Sequence, residues 1–242
     1  KDAPENNRIL YGFLNRYYEN KFYSLASKII FTHEDARSAH IDYFDIETIK
    51  TYIGNPISNF KEEIYSASLE YNYNSHPKKF GYFGVFTKGV RSPKNFMNFF
   101  KDTENIEFHW YVNDDSKNEI ASHNKELNSI FHSIVEREEA LKLMAGSFHC
   151  LVSIGNLNTT QIPSKVIEYI STGKPVIHFC EVENDPVKNI ANEFQNLFII
   201  SETSNKENLL NQLNSFYKDI STFNKELFIE KYTSNSIIEI LD

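Results

Sequence analysis

Between residues 80 and 200 the sequence repeats one pattern: a short run that is near-continuously apolar, a polar loop, a stretch of helix-forming composition, then another apolar run. The runs fall at 81–83, 106–112, 148–154, 175–180 and 197–200, and helical stretches stand between them at 93–101, 136–145, 164–171 and 186–194. A strand buried on one face alternates apolar with polar residues, whereas these runs do not, so both faces of their sheet are covered. Strands separated by helices give a parallel sheet, and the fold class expected is α/β with a doubly wound sheet. Helices at 205–219 and 223–240 close the chain.

The first 75 residues are poorer in pattern. Ile9, Leu10, Phe13, Leu14, Tyr17, Phe22, Leu25 and Ala26 recur at three-four spacing, which predicts a helix over 5–26. The run 28–32 reads as a strand with a helix resuming at 33–37, Gly54-Asn55-Pro56 as a turn, and 64–69 as either helix or strand. The polar segment 72–79 marks the boundary. What precedes it is too little to close a core of its own, so residues 1–75 read as the tail of a first domain with its linker, 76–222 as a complete second domain, and 223–242 as a helix returning to the first. With its start at KDAPENNR, the chain reads as cut from a longer protein.

Charge and cysteine use exclude several classes. Among the 242 residues, 25 Lys+Arg face 33 Asp+Glu for a net charge of -8, so no overall basic field exists to hold a phosphate backbone, and nucleic acid is not expected as a partner. No run of about 18 apolar residues is present to span a bilayer. Cys150 and Cys180 lie inside apolar runs without spaced partners, which predicts reduced core thiols and a cytoplasmic setting.

Two loops could carry chemistry. The first, Gly84-Val-Phe-Thr-Lys-Gly-Val-Arg-Ser-Pro93, leaves a strand and enters a helix. In a doubly wound sheet that edge binds ligands, and free N–H groups at the helix start suit an anion. Gly84 and Gly89 permit tight turns, Lys88 offers a point charge and Arg91 a planar bidentate donor. The alternative is a solvated basic loop with Ser92 and Pro93 starting the helix. The second loop runs from Gly155-Asn156 to Pro163-Ser164-Lys165, with Glu168 one turn further in, where it could accept from two vicinal ribose hydroxyls. Its alternative makes Glu168 a surface residue favoured by the helix dipole and Gly173 a helix terminator.

The segment Gly155-Asn156 followed by Pro163-Ser-Lys-Val-Ile-Glu-Tyr-Ile-Ser-Thr-Gly-Lys-Pro-Val-Ile177 resembles the donor-binding motif of GT-B-fold glycosyltransferases, particularly bacterial ones that build surface polysaccharides. Residues 81–93 resemble the first donor-domain loop of the same enzymes, and 19–32 are similar to the helix and strand that close their acceptor domain. The resemblance covers nearly the whole chain and implies the second, Rossmann-like half of such an enzyme. It implies a nucleotide-diphospho-sugar as donor substrate, held by Gly84, Lys88, Gly155, Asn156, Pro163, Ser164, Lys165 and Glu168. The ribose would lie on Glu168 and the base against the loop after Tyr111. Arg91 and Lys165 would be the catalytic groups, stabilising the departing diphosphate. No metal or other cofactor is expected. The acceptor would be a glycan or a lipid-linked sugar, with peripheral membrane association through the first domain. Where many retaining members carry a glutamate eight residues before the counterpart of Glu168, this chain has Thr160. A nucleotide- or sugar-binding module without catalysis is the rival reading, and a related epimerase a third.

Other residues read as structural. His76, His109, His149 and His178 are core histidines, 136–139 is a solvated helix face, and Asp114-Asp115 starts a loop or a helix. Only His33 and His40 approach metal-ligand spacing.

Overall fold

The computed structural model describes residues 12–44, 46–123, 127–220 and 223–241. The chain begins with α1 (Gly12–Leu25), β1 (Ile29–Phe31), α2 (Glu34–Phe44), a 3-10 turn (Thr48–Lys50), β2 (Thr51–Ile53) and α3 (Glu62–Leu69). Residues 5–11 of the expected first helix lie outside the described residues. Then follow β3 (Lys78–Phe83), α4 (Lys94–Phe100), β4 (Ile106–Tyr111), α5 (Asp114–His123), β5 (Ser129–His132), α6 (Arg137–Ser147), β6 (Cys150–Ile154) and α7 (Ser164–Ile170). The last elements are β7 (Val176–Phe179), α8 (Val187–Ala191), β8 (Leu197–Ile200), α9 (Lys206–Phe216), α10 (Lys225–Tyr232) and α11 (Asn235–Leu241).

Six strands form one parallel sheet in the order β5-β4-β3-β6-β7-β8, so the α/β reading holds. The order reverses between β3 and β6, where the loops diverge and a crevice opens. Successive strand residues face opposite layers. Leu151 and Val176 join the core under α6, α7, α8 and α10, while Val152 and Ile177 join the one under α4 and α9. Both layers are apolar, which is why β6, β7 and β8 do not alternate in sequence, whereas β4 keeps Glu107 and His109 at partly exposed positions.

Before the sheet, β1 and β2 pair in parallel, Ile30 opposite Tyr52, over a small core of Ile29, Phe31, Ala36, Phe44 and Ile46. α3 belongs to the larger body: Ile64 is buried in the core of α6 and α7, and Tyr65 packs against it. The polar segment at 72–79 thus falls inside the second unit, after its first helix.

The final helix differs most from expectation. It is two helices, and Phe223, Phe228 and Tyr232 are buried with Phe194 in the large core instead of covering α1. Tyr17 and Phe22 of α1 stay 58% and 71% exposed. Among the described residues α11 reaches the first unit, where Lys28 Nζ donates to the Ile240 carbonyl at 2.9 Å, and the Tyr232 carbonyl at the end of α10 accepts from the Ser58 N–H at 2.8 Å.

His149 sits at the opposite edge of the sheet, buried, with Nδ1 accepting from the Lys79 N–H at 2.9 Å. Burial, then the nearby Lys78 charge, lowers its pKa to about 4. Because the unfolded histidine titrates near 6.5, the unfolded chain binds more protons between those values, and stability falls as pH drops through that window. Of the loss between pH 7 and pH 5, up to about 2 kcal/mol should come from this residue. Denaturant midpoints at both pH values should show His149→Gln losing that share of the dependence; an unchanged dependence would remove the role.

Candidate functional site

The two loops at the switch point clasp one another. Leu157 N–H donates to the Val90 carbonyl at 2.7 Å, and Arg91 donates from Nη2 and Nε to Asn156 Oδ1 at 2.8 and 3.2 Å. Asn156 is buried and spends its amide on the Gln161 carbonyl at 3.2 Å, so one side chain fixes both loops. From below, the Phe86 N–H donates to Ser116 Oγ at 2.8 Å, and Tyr169 OH bonds both the N–H and the carbonyl of Phe83 at 2.9 and 3.0 Å. These backbone anchors hold the end of β3 and leave Arg91 aimed across the gap.

A cleft of about 720 Å³ separates this edge from the first unit. One wall carries Arg91, Asn156, Thr160, Gln161 and Ser164 and is the more polar; the other is mostly apolar, with Phe22, Tyr23, Ile30 and Phe31, and also presents Lys28, Thr32 and His40. The first turn of α7 opens at Ser164 on the polar wall without a side-chain cap, and the Val166 N–H already donates to the Pro163 carbonyl at 3.0 Å.

Of the residues expected from sequence, Arg91, Asn156, Pro163 and Ser164 line the cleft. Gly84 and Gly155 lie in the loops behind it. Gly155 N–H donates to the Phe179 carbonyl at 2.8 Å, and a Cβ there would stand 2.4 Å from Asp185 Oδ2, so only glycine fits. Gly89 has φ 79, a left-handed turn. Lys88 is exposed and outside the cleft.

Glu168 and Lys165 form a second cluster beside the first. The Glu168 carboxylate is buried and accepts from Arg137 Nε at 2.9 Å and from Lys165 Nζ at 2.5 Å. The surface-residue alternative for Glu168 is thereby excluded, and Lys165 turns toward Glu168, not into the cleft. Arg137, read as part of a solvated face, is half exposed but bound on one side to this carboxylate. Its partner lies 31 residues away, beyond any local pattern. Gly173, with φ 75, follows α7 as expected, and Asp114 and Asp115 occupy the first turn of α5.

The topology has counterparts among known folds. The chain carries the fold of the GT-B glycosyltransferases, in the Rossmann-like form of their C-terminal half. TarM is 18% identical across 99% of this chain and 48% of its own, with a TM-score of 0.66. HepE of Anabaena, in complex with UDP and glucose, is 14% identical across 99% of this chain and 69% of its own, at 0.66. Sucrose-phosphate synthase from Thermosynechococcus elongatus is 11% identical across 94% and 60%, at 0.63. The chain thus spans about half of TarM and three fifths of the synthase. At these identities the likeness is one of fold. No protein-family model matches the sequence, and no curated protein does.

Proposed function

We propose that the chain is the donor-binding part of a glycosyltransferase that takes a sugar from a nucleotide diphosphate and gives it to a glycan or lipid-linked acceptor in surface polysaccharide synthesis, on the cytoplasmic side. The observation that carries this reading is the convergence, at one sheet edge, of Arg91 tied to Asn156, the start of α7, and Glu168 between two cations. The first two suit a diphosphate. A buried carboxylate is acceptor only, which suits a vicinal diol. HepE, of like fold, holds UDP.

In this mechanism the diphosphate leaves the anomeric carbon with growing negative charge. Arg91, held in place before substrate arrives, and the N–H groups of α7 stabilise that charge without rearranging. No metal is needed for this step. Glu168 orients the nucleoside so that the scissile bond faces the cleft, where the acceptor hydroxyl enters from the apolar wall.

Arg91→Ala should weaken binding of a nucleoside diphosphate roughly tenfold, about 1.5 kcal/mol, while leaving the nucleoside within about threefold, because a guanidinium meets phosphate oxygens and not the base. Calorimetry with UDP and uridine, or the guanine and adenine pairs, measures both. Equal losses would place Arg91 away from the phosphates.

A further inference from the structure

Behind the polar wall, at the end of β7 and in the loop into α8, three different donor side chains meet. One atom each of His178, Cys180 and Asp185 lie within 4.8 Å of one another, and all three residues are buried. We propose that they form a three-ligand site for one divalent cation of the zinc class, separate from the nucleotide site.

Two of the side chains are already held by their far ends, and the third residue by its backbone. His178 Nδ1 meets Ser153 Oγ at 3.0 Å, which leaves Nε2 facing Asp185 Oδ2 at 3.0 Å. Asp185 Oδ1 accepts the Val187 N–H at 2.9 Å, which leaves Oδ2 for the shared centre. Cys180 is fixed through its own N–H on the Ile200 carbonyl at 2.7 Å. A metal-binding histidine with its other nitrogen anchored, and a carboxylate with its other oxygen anchored, are the outer-shell contacts that orient ligands. The mixed nitrogen, sulfur and oxygen set suits zinc or cobalt and suits neither magnesium nor calcium, which take oxygen alone.

Charge supports the same centre. A buried dication is costly unless compensated, and one thiolate with one carboxylate brings the cluster to zero. On binding, the Cys180 thiol gives its proton to solvent. The imidazole moves its proton from Nε2 to Nδ1, where it is donated to Ser153 Oγ, and the Nε2 lone pair goes to the metal. Next in sequence, Glu181 Oε1 is buried without a hydrogen-bond partner, an acceptor oxygen without a cation in the same neighbourhood. The sequence gives no warning, since a His-x-Cys-x4-Asp spacing is no known zinc signature; the strand end and the loop into α8 bring the three together.

The full chain titrated with cobalt(II) should take up one ion per chain, develop the near-ultraviolet absorption of a thiolate bound to cobalt, and gain roughly 5–10 °C in Tm at a hundredfold excess over Kd. Cys180→Ser should lose the absorption and more than about a hundredfold in affinity, beyond the cost of losing an outer-shell partner. Cys150→Ser, at the only other thiol and elsewhere in the core, should keep both. Absence of saturable binding or of the thiolate band in the wild-type chain would overturn the site, whether or not Cys180→Ser folds, as would a band that survives in that variant.

Discussion

Glu168→Ala is expected to weaken nucleotide diphosphate binding between about fivefold and 150-fold, 1 to 3 kcal/mol, with the fold retained. The carboxylate is buried, yet its partners are not: the Arg137 side chain is 52% exposed and that of Lys165 is 38% exposed. Both cations can return to water when the carboxylate goes, so the penalty of stranding a buried charge is avoided and the loss falls on the ligand. Two oxygens, each engaged by one cation, retain lone pairs for a diol, whereas alanine offers no acceptor. Glu168→Gln keeps the shape, exchanges one acceptor for a donor and releases Lys165, so an intermediate loss is expected. Calorimetry beside circular dichroism checks both; unchanged affinity in a folded Glu168→Ala chain would remove the ribose role.

Gly155→Ala should cost about 3 kcal/mol of stability. The new methyl would meet Asp185 Oδ2 at 2.4 Å, the Phe179 carbonyl oxygen at 3.1 Å and the Glu181 nitrogen at 3.3 Å. Two of those atoms are backbone and cannot swing away. If Asp185 yields, its contacts to His178 and Val187 break; if the loop yields, Asn156 moves and with it Arg91. Overpacking alone costs about 1–3 kcal/mol, and a lost hydrogen bond to a charged group about 1.5–3 more, part of which relaxation recovers. Gly146 provides the contrast. It is helical, and nothing lies within 4 Å of its added Cβ, so Gly146→Ala should stabilise by roughly 0.5–1 kcal/mol. Denaturant midpoints of the two variants should move in opposite directions, and a Gly155→Ala chain as stable as wild type would contradict the packing account.

What could be read from sequence follows the physics of each element. Strands β6, β7 and β8 are near-continuous apolar runs between helices and stand out by composition, as do β4 and the second half of β3, whose first residues, Lys78 and Lys79, read as part of the polar boundary segment. β5 does not: Ser129–His132 is a four-residue edge strand, none of it fully buried. Its neighbour α5 buries only Ile120 and Ser116, too few for a stripe. β2 is hidden because three residues acquire their identity only by pairing with β1. The break between α10 and α11 falls at Thr233 and Ser234, and the apolar residues before it answer to Phe194 in the large core, a partner no local pattern names.

The site divides in the same way. Arg91, Asn156, Pro163 and Ser164 sit where a strand hands over to a helix, and that position is visible in sequence. Arg137, Tyr169 and Ser116 act through partners 31, 86 and 30 residues away. Charge and period describe what such residues are; only the folded chain supplies what they touch. Lys88 and Lys165 show the converse, being basic residues at the expected edge whose side chains point to solvent and to Glu168.

The most direct test is a crystal structure of this chain grown with a nucleoside diphosphate, UDP first and then GDP and ADP. The account predicts the ribose hydroxyls within hydrogen-bond reach of Glu168, and the phosphates between Arg91 and the backbone N–H groups at Ser164. A nucleotide bound elsewhere on the chain, or one at this edge whose ribose turns away from Glu168, would contradict it.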